Sequence, residues 1–129
     1  MKNLLTLILF TAIVLLIPRS LKAQNEVITK EISMKQFDKM IKTNPGTIVD
    51  VRTKGEVSKG AIPGSVNIDF FDDEFESKIS KLDKSKPVYV YCASGGRSGE
   101  SVEIFTKTGF KEIYDLSEGY GTYSKLHNK

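Results

Sequence analysis

The sequence has no tryptophan, one histidine and one cysteine. A lone cysteine excludes an internal disulfide and the Cys-x-x-Cys pair of a thioredoxin-like oxidoreductase. A lone histidine, His127, lies at the very end of the chain. No histidine-rich metal site and no serine–histidine triad can be assembled from it, so no metal and no cofactor are expected. Gly119-Tyr-Gly121 lacks the strand–turn–helix context of a glycine-rich cofactor loop. There is no repeat, no low-complexity tract and no interior linker.

An excess of charge is also missing once the first residues are set aside. Lys2 precedes an uncharged, mostly apolar run from Leu4 to Ile17, then Pro18, then Ser20-Leu-Lys-Ala23. This is the three-part layout of a secretory signal peptide at residues 1–23. The run is shorter than the roughly 20 residues of a spanning helix. Cleavage near Ala23, and an exported, periplasmic or secreted protein with no stable membrane anchor, are the expectation. Leu21 is not the usual small residue before such a site, which leaves a retained anchor as the alternative. Lys2, Arg19 and Lys22 account for the whole net charge of +3, leaving 16 basic and 16 acidic residues beyond them. The remainder gives no support for nucleic-acid binding. Its length suffices for one domain that buries roughly 60–70% of the surface exposed in the unfolded chain.

What is present alternates. Residues 24–30 read as an exposed lead-in. Ser33 and Gln36 have capping-box spacing, and Phe37, Met40 and Ile41 form one apolar helix face, stopped by Asn44-Pro45-Gly46. Thr47–Val51 reads as a buried strand. Residues 52–64 read as a loop with at most one helical turn, and Ser65–Ile68 as a short strand. A helix is expected over 72–83, a strand over Val88–Tyr91, and a helix over Ser98–Thr108. A strand over Glu112–Asp115 and a short helix over 121–126 complete the chain. Alternation of this kind predicts one α/β domain, residues 26–128, with a central, mainly parallel sheet.

The lone cysteine is Cys92, directly after the most apolar strand: Val88-Tyr-Val-Tyr-Cys92-Ala-Ser-Gly-Gly-Arg97-Ser. Only a thiolate is a strong nucleophile, and an ordinary thiol ionises near pH 8.5. The start of a helix and the fixed charge of Arg97 both favour the thiolate. Gly95 and Gly96 permit the backbone turns that aim N–H groups at an anion. Cys92 is therefore the candidate nucleophile. Ala93, Ser94, Gly95, Gly96, Arg97 and Ser98 are the candidate binding loop.

This loop resembles the active-site loop of rhodanese-like sulfurtransferases: cysteine, two residues, glycine, one residue, arginine and often serine. Three more segments resemble the family in the right order: Asp50-Val-Arg52 with Glu56, Gly60–Ile68, and Tyr114–Gly119. The resemblance covers about residues 30–126. It implies a rhodanese-like three-layer domain in which Cys92 accepts a sulfane sulfur as a persulfide. It implies that N–H groups of residues 93–98 cradle that persulfide while Arg97 helps bind an anionic donor. The partners it implies are a small sulfur-containing anion or thiol, with cyanide, a low-molecular-weight thiol or a protein thiol as acceptor. Nothing requires more than a monomer. Arg52 and Glu56 are expected either to pair and brace the sheet edge or to form a solvated charge cluster. Ala61, Glu118 and Tyr123 depart from the family's usual histidine, glycine and tryptophan, and bear on packing and edge contacts.

Two rivals have different chemistry. Cysteine phosphatases place five residues between cysteine and arginine; here there are four, with no histidine before Cys92 and no acid in the loop to protonate a leaving alcohol. A non-catalytic binding module needs none of the cysteine, paired glycines and arginine that the loop retains.

Overall fold

The computed structural model describes residues 26–128. The expected targeting segment, residues 1–23, lies outside them. No helix among the described residues is long and apolar enough to cross a membrane.

Ten elements follow one another: β1 (Ile28–Ile32), α1 (Met34–Thr43), β2 (Thr47–Asp50), α2 (Lys54–Val57), β3 (Val66–Asn67), α3 (Phe75–Ser80), β4 (Val88–Tyr91), α4 (Gly96–Thr108), β5 (Glu112–Leu116) and α5 (Gly119–His127). The five strands form one parallel sheet in the order β1-β5-β4-β2-β3. β4 is central, with β2 and β5 as its neighbours.

The sequence of β4 explains the three layers. Its four residues alternate valine and tyrosine, and all are fully buried. Val88 and Val90 point to one face, where Val49, Phe75, Ile79, Phe105, Phe110 and Ile113 complete a core beneath α3 and α4. Tyr89 and Tyr91 point to the other, among Ile32, Met34, Phe37, Ile62, Tyr114 and Leu116 beneath α1 and α5. A strand covered on both faces needs no polar alternation. Successive side chains supply two cores instead of one core and one wet face.

Four segments differ from expectation, each for a local reason. The lead-in contains a strand: β1 pairs with β5 at the sheet edge, and only Ile32 of its five residues is buried. Edge pairing uses backbone bonds, so Ile-Thr-Lys-Glu-Ile shows little hydrophobic pattern. α3 is shorter than 72–83 because Asp72 makes an Asx-type bond to the Glu74 N–H, and Leu82 leaves the helix through a bond to the Ile79 carbonyl. α4 begins two residues early, at Gly96, because Gly95 in the left-handed region (φ 103°) serves as its N-cap. α5 runs from Gly119 to His127 and so starts before residue 121. The Ser33–Gln36 capping box is present in both directions.

Candidate active site

Ligands of parallel sheets sit beyond the carboxyl ends of the strands. Cys92 immediately follows central β4 and occupies that edge. It is 1% exposed and packs with the valine-side core, so the thiol lies at the floor of its loop.

The loop turns back over the sulfur. The Gly95 N–H donates to Cys92 Sγ at 3.1 Å, and the thiol donates to Ser98 Oγ at 3.6 Å. Ser98 Oγ in turn donates to the Gly95 carbonyl at 3.2 Å. Burial alone pushes a thiol pKa up. Here the Ser98, Ser94 and Gly95 N–H groups, joined by the Ser98 hydroxyl once it turns to donate to the ionised sulfur, outweigh burial and leave the Cys92 pKa below its ordinary value. The 13-residue α4 points its N-terminus at the same place, which adds to the stabilisation of negative charge.

A second loop holds the first in shape. The Tyr120 N–H donates to the Cys92 carbonyl at 2.8 Å, and the Gly121 N–H to the Ala93 carbonyl at 3.4 Å. The approach is so close that a Cβ on Gly95 would lie 2.3 Å from the Ser117 carbonyl oxygen. A Cβ on Gly119 would lie 2.2 Å from the Ala93 carbonyl oxygen. Both glycines have positive φ, so a side chain there is opposed by both space and backbone. Gly96 faces open space and is not subject to this constraint.

The charged residues pair differently from the Arg52–Glu56 brace considered from the sequence. Arg52 pairs with Asp50, through Nη2–Oδ2 at 2.7 Å and Nε–Oδ1 at 3.0 Å, and also donates to the Gly60 carbonyl at 2.7 Å. Tyr91, whose hydroxyl pKa is pushed up to about 12 chiefly by burial, donates to Asp50 Oδ2 at 2.7 Å. The Ile62 N–H donates to that hydroxyl at 3.0 Å, and the Tyr120 ring covers the guanidinium at 4.2 Å. Asp50 and Arg52 are buried, so this is an internal brace between the ends of β2 and β4, the Gly60–Ser65 loop and α5. A solvated cluster is thereby excluded as well.

Glu56 pairs with Arg97 instead. The two groups form a fork, Nη1–Oε1 at 2.7 Å and Nη2–Oε2 at 2.9 Å. Arg97's hydrogen bonds and other contacts hold the Glu56 pKa down to about 2. Thr53 and Glu56 also form a capping box for α2, which fixes where the carboxylate stands. The sequence singled out every residue of these two pairs but matched them wrongly. Spacing within Asp-x-Arg-x-x-x-Glu favours a local partner for Glu56, whereas the fold brings Arg97 to it from 41 positions away.

Glu118, which departs from the family's glycine, accepts from the Met34 N–H at 2.8 Å. It thereby caps α1 and ties the Ser117–Gly119 turn to that helix. Its neighbours in sequence give no signal of this role. Tyr123 stacks between Tyr120 and His127 at centroid distances of 6.0 and 4.0 Å. His127 is engaged with Asp38 on α1.

With this geometry established, comparison with known proteins is specific. The family profile described as "Rhodanese-like domain" matches residues 33–126. The uncharacterized protein YqhL of Bacillus subtilis is 29% identical over 120 residues, 93% of this chain and 91% of that protein. The thiosulfate sulfurtransferase GlpE of Coxiella burnetii is 30% identical over 98 residues, 76% of this chain and 90% of that protein. The crystal structure of a rhodanese-related protein from Thermoplasma volcanium superposes with a TM-score of 0.67 at 30% identity, covering 76% of this chain and 93% of that one. Two other curated relatives are longer, and the match spans only 35% and 52% of them.

Proposed function

The chain belongs to the rhodanese-like domain family, and from that premise we propose that it is a sulfurtransferase working through a persulfide on Cys92. One observation supports this above the others. A buried thiol, which burial alone would keep protonated, is held toward the thiolate by the N–H groups of its own loop.

The steps balance without a redox cofactor. The Cys92 thiolate attacks the outer sulfur of thiosulfate, the S–S bond breaks, sulfite departs with its electron pair, and Cys92–S–S⁻ remains. An acceptor thiolate or cyanide then attacks the terminal sulfur and regenerates the thiolate, carrying sulfur away as a persulfide or thiocyanate. The N–H groups of Ser94, Gly95 and Ser98, which bond Cys92, favour the negative charge at each stage. Arg97 and the Ser98 hydroxyl complete the lining. The acceptor is a low-molecular-weight thiol, a protein thiol or cyanide.

Because Cys92 is the only cysteine, intact-protein mass spectrometry locates the product without ambiguity. Brief treatment with thiosulfate or a persulfide is expected to add one sulfur atom, which cyanide removes as thiocyanate. Absence of any adduct with every sulfane donor overturns the reading and favours a binding module.

We also propose that residues 1–23 direct export and are removed. Sequencing the N-terminus of protein recovered from outside the cytoplasm should begin at Gln24. A start at Met1 on membrane-associated protein overturns cleavage.

A further inference from the structure

Arg97 is the cation nearest the reacting sulfur in sequence, yet its charge is already matched. Both terminal guanidinium nitrogens are taken by the two oxygens of Glu56, at 2.7 and 2.9 Å. The pairing is fixed on both sides. Arg97 is held in the first turn of α4, and Glu56 is held in the α2 capping box with Thr53. Asp69 adds a second negative charge within Coulomb range of Arg97. Beside this neutral pair stands Phe71, 68% exposed, its ring 5.9 Å from the guanidinium carbon. So the rim near the thiol presents a compensated charge and a large apolar ring.

Donors of sulfane sulfur differ in what they ask of such a rim. Thiosulfate arrives as a dianion and releases sulfite, also a dianion. Its transition state calls for an uncompensated cation. An organic persulfide, R–S–SH, arrives neutral or as a monoanion and releases a thiol. Its body R is organic and gains from apolar contact.

We infer that the Glu56–Arg97 fork and the adjacent Phe71 ring set donor choice, favouring an organic persulfide over thiosulfate. The inference rests on the persulfide chemistry proposed above and deepens it. In this step the Cys92 thiolate attacks the outer sulfur of R–S–SH. The S–S bond breaks, the departing R–S⁻ takes the proton of the outer sulfur, and Cys92–S–S⁻ and R–SH result. Glu56 acts as a positioning residue through Arg97; it touches no reacting atom.

The test compares kcat/KM for thiosulfate and for glutathione persulfide, with one thiol acceptor, in the native protein and in Glu56→Gln. Glutamine still accepts the Thr53 bonds of the capping box, so α2 keeps its start. The native protein should favour the persulfide by at least tenfold, which is about 1.4 kcal/mol in transition-state stabilisation. Glu56→Gln should move the ratio toward thiosulfate by about tenfold through a lower thiosulfate KM, an effect that shrinks with added salt. The gain should vanish in Glu56→Gln/Arg97→Ala. Phe71→Ala should raise KM for the persulfide and leave that for thiosulfate in place. A persulfidated cysteine peptide as a third donor separates protein-borne from small-molecule persulfides, and superiority of either over thiosulfate supports the inference. A native preference for thiosulfate overturns it, as does a ratio that Glu56→Gln changes less than twofold. If Glu56→Gln does not fold, the native donor ratio decides. Failure of Cys92 to acquire sulfur from any donor is a different result and refutes the parent reading.

Discussion

Cys92→Ser is expected to lose sulfur transfer by at least about 10³-fold while keeping its fold. The substitution changes one atom. A serine hydroxyl can accept from the Gly95 N–H and bond Ser98 Oγ, as the sulfur does at 3.1 and 3.6 Å. Loss of a packed sulfur costs about 1 kcal/mol by comparison with similar single-atom changes. The chemistry suffers far more, because a hydroxyl is not ionised at neutral pH and forms no persulfide. Circular dichroism and thermal melts should be near native while turnover falls to background. The native thiol provides the complement. Its pKa is depressed, so its thiolate persists below the ordinary thiol value and is lost only as pH falls through the lowered one. Alkylation by iodoacetamide should therefore have its midpoint below about 8.5. A midpoint at or above that value shows that burial, which opposes the thiolate, has won over the loop's N–H groups. Turnover in Cys92→Ser shows that another group carries the sulfur.

Cys92 was legible in the sequence because its signal is local: an apolar strand, small residues, a helix start. The layers were legible for the same reason, since each strand and helix bears its own periodicity. Partnerships across the fold were not. Glu56 and Arg97 meet only after β2 and β4 are paired, and Asp50 with Arg52 closes a two-residue ring that spacing alone does not favour over Arg52 with Glu56. β1 escaped for a related reason. An edge strand with one buried residue owes its place to β5, and Ile28–Ile32 carries little of that information itself. Glu118 is the extreme case, a departure from the family's pattern whose cap on α1 exists only in three dimensions. Arg97 joins the two kinds. Its proximity to Cys92 is written in sequence, but whether its charge is free for a ligand depends on a partner that sequence placed elsewhere.

Arg52→Met is expected to destabilise the domain by about 3–5 kcal/mol, the usual cost of breaking a buried ion pair by removing one member. Asp50 is 0% exposed and Arg52 3% exposed, so water cannot replace the lost cation. The Asp50 carboxylate retains only the Tyr91 hydroxyl and the residue-52 N–H, at 2.7 and 3.0 Å. The Gly60 carbonyl loses its donor, and the Tyr120 ring loses the guanidinium it covers at 4.2 Å. For a domain of this size, such a loss lowers Tm by at least about 12 °C. Consequences should reach the site, because Tyr120 also donates its N–H to the Cys92 carbonyl at 2.8 Å. Loosening α5 at Tyr120 loosens the floor of the loop. The double variant Asp50→Asn/Arg52→Met separates pairing from packing. Removing both charges avoids the lone buried carboxylate, so it should be more stable than Arg52→Met alone. A loss below about 1 kcal/mol in the single variant, measured by urea unfolding, shows that the pair is not a brace. An equal loss in single and double variants assigns the cost to packing of the arginine stem under Tyr120, with the charges contributing nothing. Should activity fall in the single variant in proportion to stability and recover with it in the double, the Asp50–Arg52 pair acts on Cys92 through the fold alone. That outcome marks the division of labour between the two arginines, one that builds the sheet edge and one that pairs with Glu56 beside the Cys92 loop.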